Sequence, residues 1–551
     1  MPPKEVIDES RAVKFLALPF TRRYALYASA LLATLVFLVL TVAVTGDFWP
    51  ALIVAFALSV LGTYDLFQVH HSILRSYPIV AHLRFLLEDA RPEIRQYFLE
   101  SDTDGVPFDR NTRSIVYQRA KGELDKRPLG TELNVYAASF EWINHSLSPK
   151  DLETEPFRIT VGGPDCRQPY SASVLNISAM SFGALSANAI RALNKGAKMG
   201  GFAHDTGEGG LSQYHREHGG DIIWEIGSGY FGCRTPDGRF SPEQFALQAA
   251  DAQVKMVEIK LSQGAKPGHG GVLPGAKVSA EIAAARGVPQ GVDCISPARH
   301  SEFSTPIGLL EFVVRLRRLS NGKPVGFKLC IGHPWEFLGI GKAMIETGIY
   351  PDFIVIDGKE GGTGAAPLEF IDHLGTPLQE GLMFANNMLI GLNIRDRIRL
   401  GASGKIITAF DMARTLSMGA DWCNAARGFM FAIGCIQAQA CHTDRCPTGV
   451  TTQDKLRQRA LVVPDKAQRV FNFHRSTLTA LAEVVAAAGL SHPQELLPRH
   501  FLKRVSPDIV ATYEQIHRFL EPGELLNGTD DPRFAQSWAM ARADSFAPAS
   551  I

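Results

Sequence analysis

Between residues 174 and 425 the chain repeats one pattern: a short apolar run, a glycine-rich turn, then a polar or amphipathic stretch. The apolar runs are 174–180, 202–204, 256–261, 292–295, 325–329, 353–356, 398–402 and 422–425. Several intervening stretches, such as 187–199, 309–319 and 336–347, space their apolar residues at the helical period. Runs too short to be helices that alternate with helices predict a parallel sheet, because each helix carries the chain back to the same sheet edge and covers a face. Eight such runs in about 255 residues match the size of an α/β fold closed as a (β/α)8 TIM barrel. An open, doubly wound sheet is the alternative. No Gly-x-Gly-x-x-Gly follows the first run, which weighs against its dinucleotide-binding form.

A different constraint acts on the N-terminal part. Residues 24–45 are apolar without a charge, and 48–67 form a second such stretch broken only by Pro50 and Asp65. Each is long enough to cross a hydrocarbon core of ~30 Å as a helix. Gly46-Asp47 turns the chain between them, and Trp49 and Tyr64 stand where interfacial aromatics belong. Arg22, Arg23 and Arg75 flank the outer ends and the turn has no basic residue, so both ends are expected on the cytoplasmic side. The expected organisation is a cytoplasmic N-terminus (1–23), two membrane spans (24–67), a connecting segment packed on the barrel (68–150), the barrel (151–455) and a helical extension (456–551). The formal net charge of zero offers no basic face for nucleic acid. No cleavable signal is apparent, so the eight cysteines are expected to be reduced thiols.

In a barrel, chemistry sits where strands end at the C-terminal rim. The first run leads into Met180-Ser181, and the second into Gly207-Glu208-Gly209. The third leads into a glycine-rich loop carrying Gln263, Lys266 and His269, with Arg286 on the following helix. Two cations and an amide suit a substrate with two carboxylates, since arginine offers a bidentate fork and lysine a point charge. Glu208 between glycines could orient an amine or move a proton. A solvated loop with surface charges is the plain alternative. Lys328 lies inside an apolar run and needs an anionic partner, either a reduced flavin or a structural carboxylate. Small residues around Gly404 and Gly428 would let backbone N–H groups approach an anion after strands seven and eight, with Thr408 capping the next helix. Three cysteines follow, at 435, 441 and 446.

The stretches 178–186, 207–211, 258–275, 356–367 and 397–449 together resemble the FMN-binding barrel of glutamate synthase, over roughly residues 130–455. The run Glu258-Ile-Lys-Leu-Ser-Gln-Gly-Ala-Lys-Pro-Gly268 and the spacing Cys435-x5-Cys441-x4-Cys446 carry most of the likeness. The resemblance implies FMN on the barrel mouth and a [3Fe–4S] cluster on those three thiolates. It implies electrons passing through the cluster to FMN, and hydride transfer to the imine formed from 2-oxoglutarate and ammonia, giving L-glutamate. By correspondence Glu208, Gln263, Lys266 and Arg286 bind substrate, with Glu208 and Lys266 catalytic. Met180, Ser181, Lys328, Gly362, Thr363, Gly364, Gly404, Lys405 and Gly428 line the FMN site.

Some features depart from the family pattern. The family's glutaminase domain begins with a nucleophilic cysteine, whereas this chain opens Met1-Pro2, so ammonia is expected from solution or a separate glutaminase subunit. About 95 helical-looking residues stand where the family has a long β-helix. His269 replaces a glutamate of the substrate loop, which opens the alternative of another keto or amino acid. The membrane hairpin is foreign to the soluble enzymes. With no second nucleotide-binding domain in view, the electron donor is expected to be a partner such as ferredoxin or a reductase subunit. A membrane electron-transfer subunit without small-molecule turnover is the non-enzymatic alternative.

Overall fold

The computed structural model describes residues 22–44 and 46–550. The basic residues Lys4, Arg11 and Lys14 and the last residue of the first span, Thr45, lie outside the described residues. The chain divides into two compact units, residues 1–110 and 111–551.

The larger unit is built on a closed barrel of eight parallel strands. They are β1 (Leu175–Ile177), β2 (His204–Asp205), β3 (Ile222–Ile226), β4 (Val254–Lys260), β5 (Val325–Leu329), β6 (Phe353–Asp357), β7 (Arg399–Ser403) and β8 (Trp422–Ala425), and each pairs with the next in chain order. β8 closes on β1 through Cys423–Leu175, Asn424–Asn176 and Ala425–Ile177. Seven of the eight apolar runs supply barrel strands. The run at 292–295 does not: Cys294–Ile295 pairs antiparallel with Val272–Leu273 in a ribbon between β4 and β5. Val292 and Ile295 are exposed there. The true third strand, Ile222–Ile226, is fully buried. Between β2 and β3 the chain folds the 3-10 turn Gly207–Gly209 and the one-turn helix Gln213–Arg216, both too short to carry an amphipathic helical signature.

The helix Ala187–Gly200 shows how the outer layer is held. Ser186 caps it by accepting from the Ala189 N–H, and Gly201 ends it at φ 63°. Its Ala189, Ile190, Leu193 and Ala197 are fully buried. It packs against the long C-terminal helix Val463–Ala487. Gly196 sets the closeness, since a Cβ there would stand 2.4 Å from the Val470 side chain. Burying a leucine or valine at this seam contributes about 1.5–3 kcal/mol. The C-terminal extension is helical as expected and adds a small sheet, in which Phe501–Ser506 pairs with Ile509–Thr512 and with Glu141–Ile143. The helix Arg110–Lys121 packs on the barrel unit through buried Val116 and Ala120, and Arg119 Nη1 donates to Thr477 Oγ1 at 3.3 Å.

In the smaller unit, helices Ala25–Ala43 and Trp49–Phe67 form the predicted hairpin, and both are long and apolar enough to cross a membrane. They meet through hydroxyl pairs, Tyr27–Thr63 and Thr34–Ser59, each at 2.9 Å. Gly62 lies against the Tyr27 ring, where any side chain would collide. Asp65, the flaw in the second apolar stretch, is fully buried. It accepts from the Ile79 N–H and faces His82 Nε2, both at 2.9 Å, and so ties the hairpin to the start of the helix Val80–Ile94. That helix leaves Leu83, Leu86 and Leu87 exposed.

Candidate active site at the barrel mouth

Glu208 is the centre of one side of the mouth. It follows β2, and the missing side chains of Gly227 and Gly271 leave the space it fills: a Cβ on Gly271 would lie 2.3 Å from Glu208 Oε1. Lys260, the last residue of β4, places Nζ 3.1 Å from Glu208 Oε2, and Ser296 donates to the same oxygen at 3.3 Å. Burial alone would raise the Glu208 pKa. The charge and hydrogen bond of Lys260, with Arg286 and Lys266 behind it, hold it instead at about 2. Lys266 is buried, and its Nζ donates to the Gly270 carbonyl at 3.2 Å. Burial lowers its pKa, opposed by Glu208 and assisted by Lys260.

Arg286 is buried beneath this group and reaches into the loop after β1. Its Nη2 donates to the Phe182 carbonyl at 3.1 Å and to Ser181 Oγ at 3.4 Å, while its Nε has no partner. A Cβ on Gly207 would lie 2.7 Å from the Ser181 N, so the Met180-Ser181 turn rests directly on the Glu208 loop. Gln263 is half buried on the same loop as Lys266, and His269 is exposed with its ring edge on Phe370. Thus Glu208, Lys266, Arg286, Met180 and Ser181 converge, with Gln263 on the adjoining turn. Lys260 and Ser296 complete the group, although the sequence reading assigned them no role.

The other side of the mouth is built from the loops after β4, β6, β7 and β8. The Gly264 N–H donates to Asp357 Oδ2 at 2.7 Å, and a Cβ on Gly264 would stand 1.7 Å from the Gly358 carbonyl. Glu360 accepts from the Leu378 N–H, and Arg427 Nη2 donates to the Glu360 carbonyl. A Cβ on Gly362 would lie 3.0 Å from Arg427 Nη1, so Gly362 and Arg427 share one corner. Burial pushes Arg427 down to about 10, against the pull of Asp357 and Glu360. Thr363 and Gly364 are exposed beside this corner. Gly404 and Lys405 form the turn after β7, with Lys405 in the left-handed region at φ 52°.

The glycines at 404 and 428 face protein rather than open space: a Cβ on Gly404 would meet Leu378 and Glu360 Oε2, and one on Gly428 would meet Ile407 and Phe473. Thr408 does cap the helix Ala409–Ser417, but Asp411 returns its carboxylate to the Ile407 and Thr408 N–H groups. That helix start is therefore already satisfied by its own acid. The helix Arg427–Ala432 after β8 begins with no side-chain cap. Lys328 also finds its anionic partners within the protein. Its Nζ pairs with Glu225 and lies 3.2 Å from Glu258 Oε1. The structural carboxylate is the partner present; Glu225 comes from the strand that the sequence pattern concealed.

Cys435, Cys441 and Cys446 line one small pocket with Ile436, Pro447 and Thr451. A Cβ on Gly364 would lie 3.7 Å from Cys441 Cβ, which sets the pocket against the mouth. Tyr117 donates to the Cys435 carbonyl at 2.7 Å, and buried Lys277 donates to the Cys441 carbonyl at 2.9 Å. Burial pushes the Cys435 thiol up to about 12. Burial acts the same way on Cys446, but hydrogen bonds from Thr451 and Thr448 bring it below its usual value. Among the described residues, the trio of such donors gathered within 4.8 Å of one another is Asp205, Glu225 and Glu258, inside the barrel.

Residues 158–491 match the conserved region in glutamate synthase. The chain is 37% identical over 495 residues to a glutamate synthase large subunit-like protein of Bacillus subtilis, covering 82% of this chain and 94% of that protein. It is 32% identical over 358 residues to an archaeal NADPH glutamate synthase of Methanocaldococcus jannaschii, covering 65% of this chain and 66% of the relative. It is 34% identical over 357 residues to a ferredoxin-dependent glutamate synthase of Synechocystis, covering 60% of this chain and 22% of that much longer protein. The matched region takes in the whole barrel, both sides of its mouth and the cysteine loop, and the chain belongs to the glutamate synthase family of oxidoreductases.

Proposed function

We propose that this protein binds FMN at the barrel mouth and a [3Fe–4S] cluster on Cys435, Cys441 and Cys446, and that it reductively aminates 2-oxoglutarate to L-glutamate. The observation that carries this reading is the convergence of Glu208, Lys266 and Arg286 at one rim, with the three-thiol pocket beside Gly364. The residues fit the cofactors. Buried Arg286 Nε lacks a partner, which suits an anionic ligand. The uncapped start of the helix after β8 and the Gly362–Arg427 corner suit a phosphate-bearing group. A single tetrahedral ion would gather thiolate sulfurs to within ~4 Å. The three thiols line one pocket, as the ligands of a cluster would.

When bound, FMN supplies hydride to the imine carbon, and the cluster supplies electrons to it. The protein's own residues bind and orient. Lys266 and Arg286, with Gln263, hold the two carboxylates of the keto acid. Glu208 stays ionised throughout the physiological range, so it acts as an acceptor that fixes ammonia or the imine N–H rather than as an acid. Lys266, whose pKa burial lowers, is the better placed proton donor for the oxygen that departs as water. The test is an absorption spectrum of detergent-purified protein with flavin, iron and sulfide counted per chain, followed by oxidation of the reduced protein on adding 2-oxoglutarate and ammonia. No oxidation with both cofactors present would remove the substrate assignment. His269, exposed on the substrate loop against Phe370, favours one second reading, a different keto or amino acid at the same site.

The hairpin is read as a membrane anchor that keeps both termini and the barrel in the cytoplasm. Support comes from its two apolar helices and from the helix Val80–Ile94, whose exposed Leu83, Leu86 and Leu87 lie on one face, flanked by Arg84 and Arg91. Resistance of the protein to carbonate extraction from membranes tests this. Ammonia arrives from solution or a glutaminase partner, and electrons from a ferredoxin or a reductase subunit.

A further inference from the structure

One cluster inside the barrel has no part in the chemistry at the mouth. Asp205 on β2, Glu225 on β3 and Glu258 on β4 are all but fully buried, and one carboxylate oxygen from each lies within 4.8 Å of the others. Glu225 and Glu258 are direct cross-strand partners, an arrangement in which like charges repel. A single ammonium answers the three: Lys328 on β5 pairs with Glu225 and stands 3.2 Å from Glu258 Oε1. It takes the place that a metal cation would otherwise occupy. The remaining strands do not balance the count. β1 and β8 carry no charged residue, and Arg399 of β7 pairs with Asp421. Asp357 of β6 adds further negative field at Lys328. His204, the neighbour of Asp205, is kept neutral by burial, its pKa lowered to about 3.

Carboxylate oxygens of Asp205 and Glu258 lie within 4.8 Å of each other. Asp205 Oδ1 accepts from the Gly207 N–H at 2.9 Å, while Glu258 has the Lys328 ammonium 3.2 Å from its Oε1. Three buried carboxylates gathered around one ammonium leave excess negative charge, which is relieved when one of them holds a proton. We propose that Asp205 and Glu258 share one buried proton, and that with Glu225 and Lys328 they form a proton-storing centre inside the barrel, three residues upstream of Glu208. The direction of both titrations agrees: burial and the neighbouring carboxylates push Asp205 well up and Glu258 to about 7.

The shared proton is tested by infrared spectroscopy of the full chain, purified in detergent and free of flavin, at neutral pH. A protonated-carboxyl C=O band that shifts down in D2O is expected. It is absent in Asp205→Asn and in Glu258→Gln, and it persists in Glu208→Gln. No such band in the wild-type chain overturns the proposal without recourse to any variant, and a band unchanged in both D205N and E258Q does the same.

Discussion

Glu208 shows how neighbours outweigh burial at a single residue. Its pKa is about 2 against an ordinary 4.5, so its folded form gains stability from ionisation. That contribution, on the order of 3 kcal/mol, is complete above pH 4.5 and disappears as pH falls from there towards 2. The melting temperature of Glu208→Gln is therefore expected to lie well below that of the wild type at pH 7, with the gap closing below pH 4. A constant gap across that range would mean that Lys260 and Ser296 do not hold the carboxylate. The cysteines allow a sharper test. Cys441→Ser is expected to lose iron and sulfide together, with flavin retained, because Cys441 borders the mouth at the exposed Gly364. Residue types alone pointed to Glu208, Lys266 and Arg286, since charge among glycines after an apolar run is a rim signature. Nothing in the sequence marks Lys260 as part of the rim; the fold alone brings it to Glu208.

Elements decide how closely those residues come together. The loops after β4 and β6 cross so tightly that Gly264 has no room for a methyl group against the Gly358 carbonyl. Gly264→Ala is expected to spread the two loops and sharply reduce flavin content, read by absorbance per chain, while the barrel strands stay paired. By contrast, Thr408→Ala removes a capping box and nothing at the mouth. It is expected to cost about 1 kcal/mol of stability in denaturant unfolding, with flavin content unchanged. Strand identity was legible wherever a full-length amphipathic helix marked the crossover. It failed at β3, where a one-turn helix left no helical period to read, and at 292–295, where a β-rich run forms a surface ribbon. That failure concealed Glu225, and with it the reason why Lys328 can be buried.

For the whole molecule, the unit boundary at residues 110 and 111 separates the hairpin unit from the barrel unit. A chain starting at residue 111 is expected to stay soluble and keep both cofactors. One starting at residue 126 lacks Tyr117, whose hydroxyl holds the Cys435 carbonyl, and is expected to lose iron. Equal iron in the two truncations would show that the helix Arg110–Lys121 does not support the cysteine loop. By itself, the sequence determined the fold class, the two apolar helices, the glycine-rich loop that carries Gln263 and Lys266, and the cysteine spacing, because these follow from local periodicity and from residue types set close along the chain. Only the tertiary structure decided which carboxylates meet which cations: Glu208 with Lys260, and Lys328 with Glu225 and Glu258. Those partners lie on, or just after, different strands, and burial makes their electrostatics depend on distances that closing the barrel alone sets.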